Sequence, residues 1–214
     1  ELGHAAVNLG TTGVEGAWCY PLAHTTPDPI TLHKALAKAV ENGVTHVAME
    51  ASSHGLDQRR MDGVRLAAAG FTNFSQDHLD YHHTFEAYFA AKAGLFRRVL
   101  PDEGVAVINI DDERGSEMRA IAGARGQEVI TVGRGMGDLS LLGQRLDASG
   151  QDMRFTWHDK PFLTRLKLIG GFQAAKTLLA CGSVSSSWGG PGPELATPPT
   201  LPTICGRWPR AAPR

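Results

Sequence analysis

From Pro29 to Glu41 apolar residues return at helical spacing, with Leu32, Leu36, Ala39 and Val40 on one face, a proline near the start and Gly43 as a stop. This predicts a helix. Val44 to Met49 then predicts a short apolar strand that delivers Glu50 to a loop. Ala69 to Phe74 suits a second buried strand ending at Asn73, and Val105 to Ile110 a third, ending at Asn109-Ile110-Asp111-Asp112. Glu113 to Ala124 reads as a helix and Glu128 to Gly133 as another strand. Strands alternating with helices predict an α/β fold, a mostly parallel sheet flanked by helices. In such sheets ligands collect beyond the carboxyl ends of the strands, where Glu50, Asn73 and Asp111 all fall.

After Gly133 the period changes. Met153, Phe155 and Trp157 alternate with Arg154, Thr156 and His158, and Leu166 and Leu168 follow polar neighbours, which predicts a small antiparallel element. Gly170-Gly171 leads into a short helix, Phe172 to Cys181. Beyond Gly182 the composition breaks: seven of the twelve prolines lie between Ser183 and Arg214. That segment is expected to be a disordered tail.

One position violates the pattern. Phe85, Tyr88, Phe89, Leu95, Phe96 and Val99 form a helical stripe, and Lys92 sits in its middle. Desolvating an ammonium costs several kcal/mol unless it is paired or neutralised. Either its stem is buried and its amine reaches water, or the lysine is functional. Burial lowers a lysine's pKa, and a neutral amine can add carbon dioxide to give a carbamate, an anion able to face a metal.

With 42% hydrophobic and 20% charged residues, the chain has an ordinary globular composition. A net charge of −1 gives no electrostatic case for nucleic acid or an anionic membrane as partner. Three scattered cysteines, Cys19, Cys181 and Cys205, fit a reducing, cytoplasmic setting better than a disulfide framework. No apolar run approaches a membrane span. Glu1 rather than Met opens the chain, so a fragment is expected.

Glu50-Ala-Ser52-Ser53-His54-Gly-Leu follows an apolar strand. A carboxylate there can bind a hard cation and the hydroxyls a polar substrate; the plain alternative is a turn into a helix capped by the serines. Asp77-His78-Leu-Asp80-Tyr81-His82-His83 crowds three imidazoles and two carboxylates into seven residues. A capped helix start explains the aspartates better than His78. Gly10-Thr-Thr-Gly13-Val-Glu-Gly16 lacks the spacing of a dinucleotide fingerprint and a recognisable preceding strand, so it reads as a loop. No Gly-x-x-x-x-Gly-Lys-[Ser/Thr] occurs anywhere.

Taken together, Thr25-Thr26-Pro27-Asp28-Pro29, Glu50-Ala-Ser-Ser-His-Gly-Leu-Asp-Gln58-Arg-Arg60, Phe71-Thr-Asn73 with Asp77-His-Leu-Asp-Tyr-His82, and Ala90-Ala-Lys92 resemble the Mur ligases. Within that family they are closest to the UDP-N-acetylmuramoyl-tripeptide synthetase type (MurE type). The likeness runs in order from about Gly10 to Ala180. It implies a central, ATP-binding domain of a cytoplasmic three-domain ligase of peptidoglycan synthesis. Such an enzyme adds a third amino acid, diaminopimelate or lysine, to UDP-MurNAc-L-Ala-D-Glu through an acyl phosphate. The resemblance implies UDP-MurNAc-dipeptide contacts at Thr25, Thr26, Ser52, Gln58 and Arg60. It implies a magnesium ligand at Glu50, and a second magnesium site at His78 and a carbamylated Lys92, both also catalytic.

Departures from the family accompany the likeness. The phosphate loop should lie upstream of Gly10, and the sequence does not contain it. His24 stands where asparagine is usual. Gly171-Phe172-Gln173-Ala-Ala-Lys176 has glutamine and lysine where the family has asparagines near the adenine. Residues 1–182 are therefore expected to form a truncated central domain, and 183–214 a disordered or frame-shifted tail, with little ligase activity in the isolated chain. The alternatives are a remnant that only binds UDP-muropeptide, a folylpolyglutamate synthase-like ligase, and a metal-dependent hydrolase using His54, His78, His82 and His83.

Overall fold

The computed structural model describes residues 4–75 and 79–186. Gln76, Asp77 and His78, and the tail beyond Ser186 with Cys205, lie outside the described residues.

Two sheets organise the chain. In the first, β1 (Ala6–Gly10) pairs antiparallel with β2 (Gly13–Gly16) and parallel with β3 (His46–Met49). Gly10 to Gly16 is thus the tip and return arm of a hairpin, not a loop. The strand before it escapes notice because its alternation, Val7 and Leu9 buried against Ala6 and Asn8, spans only five residues. Helix α1 (Pro29–Glu41) links the hairpin to β3, and the Asp28 carboxylate caps it by accepting from the N–H groups of Ile30 and Thr31 at 3.1 Å each. The hydrogen bonds from Thr31, and then that from Ile30, outweigh slight burial and hold the Asp28 carboxyl below its ordinary range. Its buried stripe is Leu32, Ala35 and Ala39, whereas Val40 is 71% exposed. A residue directly after Ala39 is turned about 100° away from that stripe.

The second sheet has the order β4-β5-β6-β7-β8-β9. Strands β4 (Ala68–Phe71), β5 (Val105–Asn109), β6 (Glu128–Arg134) and β7 (Leu139–Asp147) are parallel; β8 (Gly150–Trp157) and β9 (Lys160–Leu166) complete it antiparallel. The expected mixed α/β fold is therefore present, with its antiparallel element added to the edge of the parallel sheet. On one face Ala106 and Ile108 of β5 cluster with Met118 and Ala122 of the helix Gly115–Ala124; on the other, Val105 and Val107 cluster with Ala174 and Leu178. This strand is buried on both faces, as a central parallel strand should be.

Three helices matter for the site: α2 (Ser53–Asp57), α3 (Leu79–His82) and α4 (Phe85–Gly94). Helix α4 continues as a π-helical turn, Leu95–Val99, closed by the Leu100 N–H on the Leu95 carbonyl at 2.8 Å. Gln127, buried, donates to the Phe96 and Leu100 carbonyls and satisfies that irregular end. The predicted stripe holds for Tyr88, Phe89, Leu95, Phe96 and Val99, but Phe85 is 37% exposed at the helix start. Ala91, Ala93 and Gly94 are buried as well, so α4 is covered on most sides.

The last helix, Phe172–Ser186, overruns the expected end at Cys181 and the expected tail boundary at residue 183. Gly182 was the misleading residue. A Cβ there would lie 2.9 Å from Val107 and 3.3 Å from Leu139, so the glycine lets the helix approach the sheet rather than ending it.

Candidate ligand site at the strand ends

Strand β3 pairs with β1 on one side, and β4 pairs with β5; among the described residues their other edges carry no strand. Both bare edges line one cavity of about 1520 Å³ that runs along the strands and reaches their carboxyl ends at Glu50 and Thr72. Tyr88, Lys92, Leu95 and Phe96 line it from α4 and its π turn, and Ser183 and Val184 from the last helix. This cavity explains why β3, read from sequence as a buried apolar strand, leaves Val47 38% exposed.

Of the residues singled out by sequence, Thr25, Thr26, Glu50, Ser52, Arg60 and Lys92 line that cavity. His78 lies outside the described residues. Gln58 is not on the wall, but both its amide atoms are engaged just behind Arg60. Ser52 caps α2 by accepting from the Gly55 N–H at 3.1 Å, so the plain reading of the serine pair holds for Ser52 alongside any ligand role.

Thr26 is 1% exposed and is the knot of the site. Its hydroxyl donates to the Glu50 carbonyl at 2.9 Å and accepts from the Ser52 N–H at 3.1 Å, while its own carbonyl accepts from Arg60 Nη1 at 2.8 Å. Gly55 permits this packing, because a Cβ there would lie 2.6 Å from Thr26 Cγ2. Thr25 shares a 3.0 Å hydroxyl contact with Thr11, whose hydroxyl also reaches Glu50 Oε2 at 3.4 Å. Thr11 escaped the sequence reading because the hairpin that carries it did; its Gly-Thr-Thr-Gly turn was the available signal.

Lys92 is half-buried, with its ammonium 5.2 Å from the centre of the Tyr88 ring. The ring face is an attractive neighbour for a cation. Lys92 lines the cavity from a helix whose neighbouring residues Tyr88, Phe89, Ala91 and Ala93 are buried. Asn73 and Asp111 do follow β4 and β5 at the carboxyl edge but are not among the residues lining the cavity. Asp111 accepts the Arg134 N–H at 2.9 Å, Asp112 accepts the Phe74 N–H at 2.6 Å, and Asn109 donates to the Thr72 carbonyl at 2.7 Å. These groups brace the loops after β4, β5 and β6 to one another.

The donors around Glu50 are a carboxylate and hydroxyls, hard oxygens of the kind magnesium takes. Glu50 Oε1 lies where a Cβ on residue 10 would come within 2.9 Å, so Gly10 leaves that oxygen room. The described residues therefore fit one oxygen-ligated cation at Glu50. Among the described residues no group of three or more His, Cys, Asp or Glu side chains could hold a metal ion, and His54 packs instead on the Tyr81 and His82 rings. A histidine-built hydrolase centre has no support there. Nor is any helix among the described residues long and apolar enough to cross a membrane.

Known proteins share this fold. The model of the Mur ligase middle domain matches residues 2–184. The UDP-N-acetylmuramoyl-L-alanyl-D-glutamate–2,6-diaminopimelate ligase of Agrobacterium fabrum is 48% identical over 188 residues, covering 86% of this chain and 38% of the relative. That of Caulobacter vibrioides is 44% identical over 189 residues, covering 85% and 39%. The chain thus spans about two fifths of the length of the curated relatives it matches. A solved structure of such a diaminopimelate ligase superposes with a TM-score of 0.72 at 30% identity, over 89% of this chain and 42% of the other. The apo form of L. casei FPGS shares the fold at 15% identity, with a TM-score of 0.58 over 86% and 52%.

Proposed function

Because the chain belongs to the Mur ligase family, through that family's middle domain, we propose that it is the ATP-binding portion of a cytoplasmic ligase of peptidoglycan precursor synthesis. The reaction proposed for the whole enzyme joins an amino acid to UDP-MurNAc-L-Ala-D-Glu. ATP phosphorylates the glutamyl carboxylate, the incoming amine attacks the acyl phosphate, and phosphate leaves as the amide forms. The names of the relatives favour 2,6-diaminopimelate over lysine as that amino acid.

The observation that carries the reading is the clustering of Thr25, Thr26, Glu50, Ser52, Arg60 and Lys92 on one cavity at the strand ends. In this reading Thr25, Thr26, Ser52, Gln58 and Arg60 bind the UDP-MurNAc-dipeptide, and Arg60 pairs with one of its anionic groups. Glu50 would hold one magnesium ion, and a carbamylated Lys92 with His78 a second. Bound there, such ions neutralise charge as the phosphoryl group moves. The protein's own part is to fix the carboxylate, the hydroxyls and the guanidinium around the substrate before reaction.

We also infer that the space between β3 and β4 takes a further parallel strand bearing the phosphate loop. The link from Met49 to Ala68 passes through α2, the kind of helical crossover that joins parallel strands. Titration calorimetry of UDP-MurNAc-L-Ala-D-Glu into the chain with magnesium tests the reading. Saturable binding that Arg60→Ala weakens by about thirtyfold supports it; no binding by the folded chain sinks it.

A further inference from the structure

Tyr81 belongs to the Asp-Tyr-His stretch, 21 residues beyond Arg60 and outside every role given above. Its hydroxyl donates to Asp57 Oδ2 at 3.0 Å and accepts from Gln58 Nε2 at 3.0 Å. Gln58 Oε1 in turn accepts from Arg60 Nε at 3.0 Å and Nη2 at 2.6 Å. The Arg60 Nη1 group donates to the Thr26 carbonyl. The backbone is bent to make this possible. Arg59, between the two partners, has φ of 55°, and the Arg60 N–H closes onto the Gly55 carbonyl at 2.8 Å. That is a Schellman-type helix end with arginine where glycine is usual.

We propose that Tyr81 is a positioning residue that acts through Gln58 to set the direction of the Arg60 guanidinium toward an oxyanion on the ligand. The logic is one of proton counting. A carboxylate only accepts, so the single Tyr81 hydroxyl proton goes to Asp57 and its lone pair faces Gln58. The Gln58 amide is then fixed with its nitrogen toward Tyr81 and its oxygen toward Arg60. Without Tyr81 the amide can turn over and present N–H groups to a cation. Of the five N–H groups of Arg60, three are used by Gln58 and Thr26. One remains on each terminal nitrogen to donate to a carboxylate or phosphate. His54 of α2, whose ring centre lies 4.0 Å from that of Tyr81, locks the tyrosine against the same helix.

The proposal rests on the functional reading for the identity of the ligand, but the brace can be tested without any ligand. In nitrogen-15 NMR spectra the Arg60 Nε–H should give a resolved signal protected from exchange with water. Tyr81→Phe, with the fold verified by the rest of the spectrum, should speed that exchange by about tenfold. Adding Gln58→Glu to Tyr81→Phe should restore protection, since both ends of a carboxylate accept; a merely structural role for Tyr81 has no reason to be rescued this way. Unchanged exchange in Tyr81→Phe, or no rescue in the double variant, overturns the brace. Calorimetry with UDP-MurNAc-L-Ala-D-Glu then tests its use. Tyr81→Phe should weaken binding about fivefold in the otherwise wild-type chain and leave an Arg60→Ala chain unaffected. Equal losses in both backgrounds overturn the proposed route through Arg60. If wild type does not bind at all while the exchange pattern holds, the functional reading fails and the brace stands.

Discussion

Strands β3 and β5 are close in composition and differ in fate. His46-Val47-Ala48-Met49 and Val105-Ala106-Val107-Ile108 are both short apolar runs, yet Val47 is 38% exposed whereas Val107 and Ile108 are 0% exposed. Strand β5 has a partner on each side and a helix on each face. Among the described residues strand β3 pairs with β1 alone, and its other edge opens on the cavity. Hydrophobicity in a sequence expresses a capacity for burial, and neighbours decide whether it is realised. Here the unrealised part coincides with the place where Thr25, Thr26, Glu50, Ser52, Arg60 and Lys92 gather.

The sharpest way to break this comparison is to truncate both strands. Ile108→Ala should lower stability by about 3 kcal/mol, because it leaves a cavity in a closed core. Val47→Ala should change it by less than about 0.5 kcal/mol. Chemical denaturation of both variants checks the contrast, and comparable losses would mean that β3 is packed after all. Gly55→Ala tests the site's knot rather than its walls. The new methyl would meet Thr26 Cγ2 at 2.6 Å. Since Thr26 is tied to Glu50, Ser52 and Arg60, a loss of about 2 kcal/mol is expected. A neutral substitution would show that the knot yields.

A smaller effect belongs to the β6–β7 connection, remote from the cavity edges. Burial would raise the Asp138 carboxyl, but the Thr131 hydroxyl and N–H, with His158 nearby, outweigh it and hold the pKa below the ordinary 3.8. A carboxylate so depressed stabilises the fold above about pH 4 and loses that contribution as pH falls through its folded value. Asp138→Asn should therefore cost about 1 kcal/mol at neutral pH, with the difference from wild type shrinking below pH 4. Stability curves at pH 7 and pH 3 give the answer, and a difference that grows in acid would reverse the sign argued here.

Much of this arrangement was legible in the sequence, for reasons that separate the two regions again. Helix α1, β5, β6 and the antiparallel element have periods that hold over enough residues to be read, and most of the positions they mark are buried, Val40 of α1 being the clear exception. The hairpin β1–β2 is too short to show alternation, so Thr11 was overlooked. Gly182 looked like a helix stop because closeness to Val107 cannot be read from neighbours in sequence. Lys92 was found by its violation of the stripe, but its place on the cavity wall depends on β3 and β4, far from it in the chain. Tyr81 stands in a stretch whose histidines and aspartates carry the signal, while its own partners Asp57 and Gln58 lie 24 and 23 residues away.

The central claim is that the Thr25, Thr26, Glu50, Ser52 and Arg60 cluster beyond the carboxyl end of β3, rather than the space between β3 and β4, is a preformed muropeptide site. The most direct measurement is a nitrogen-15 NMR titration of the chain with UDP-MurNAc-L-Ala-D-Glu and magnesium. The account predicts shifts concentrated at Thr11, Thr25, Thr26, Glu50, Ser52 and Arg60, with the β7–β9 strands unmoved. A silent titration, or shifts centred on the antiparallel strands, would contradict it.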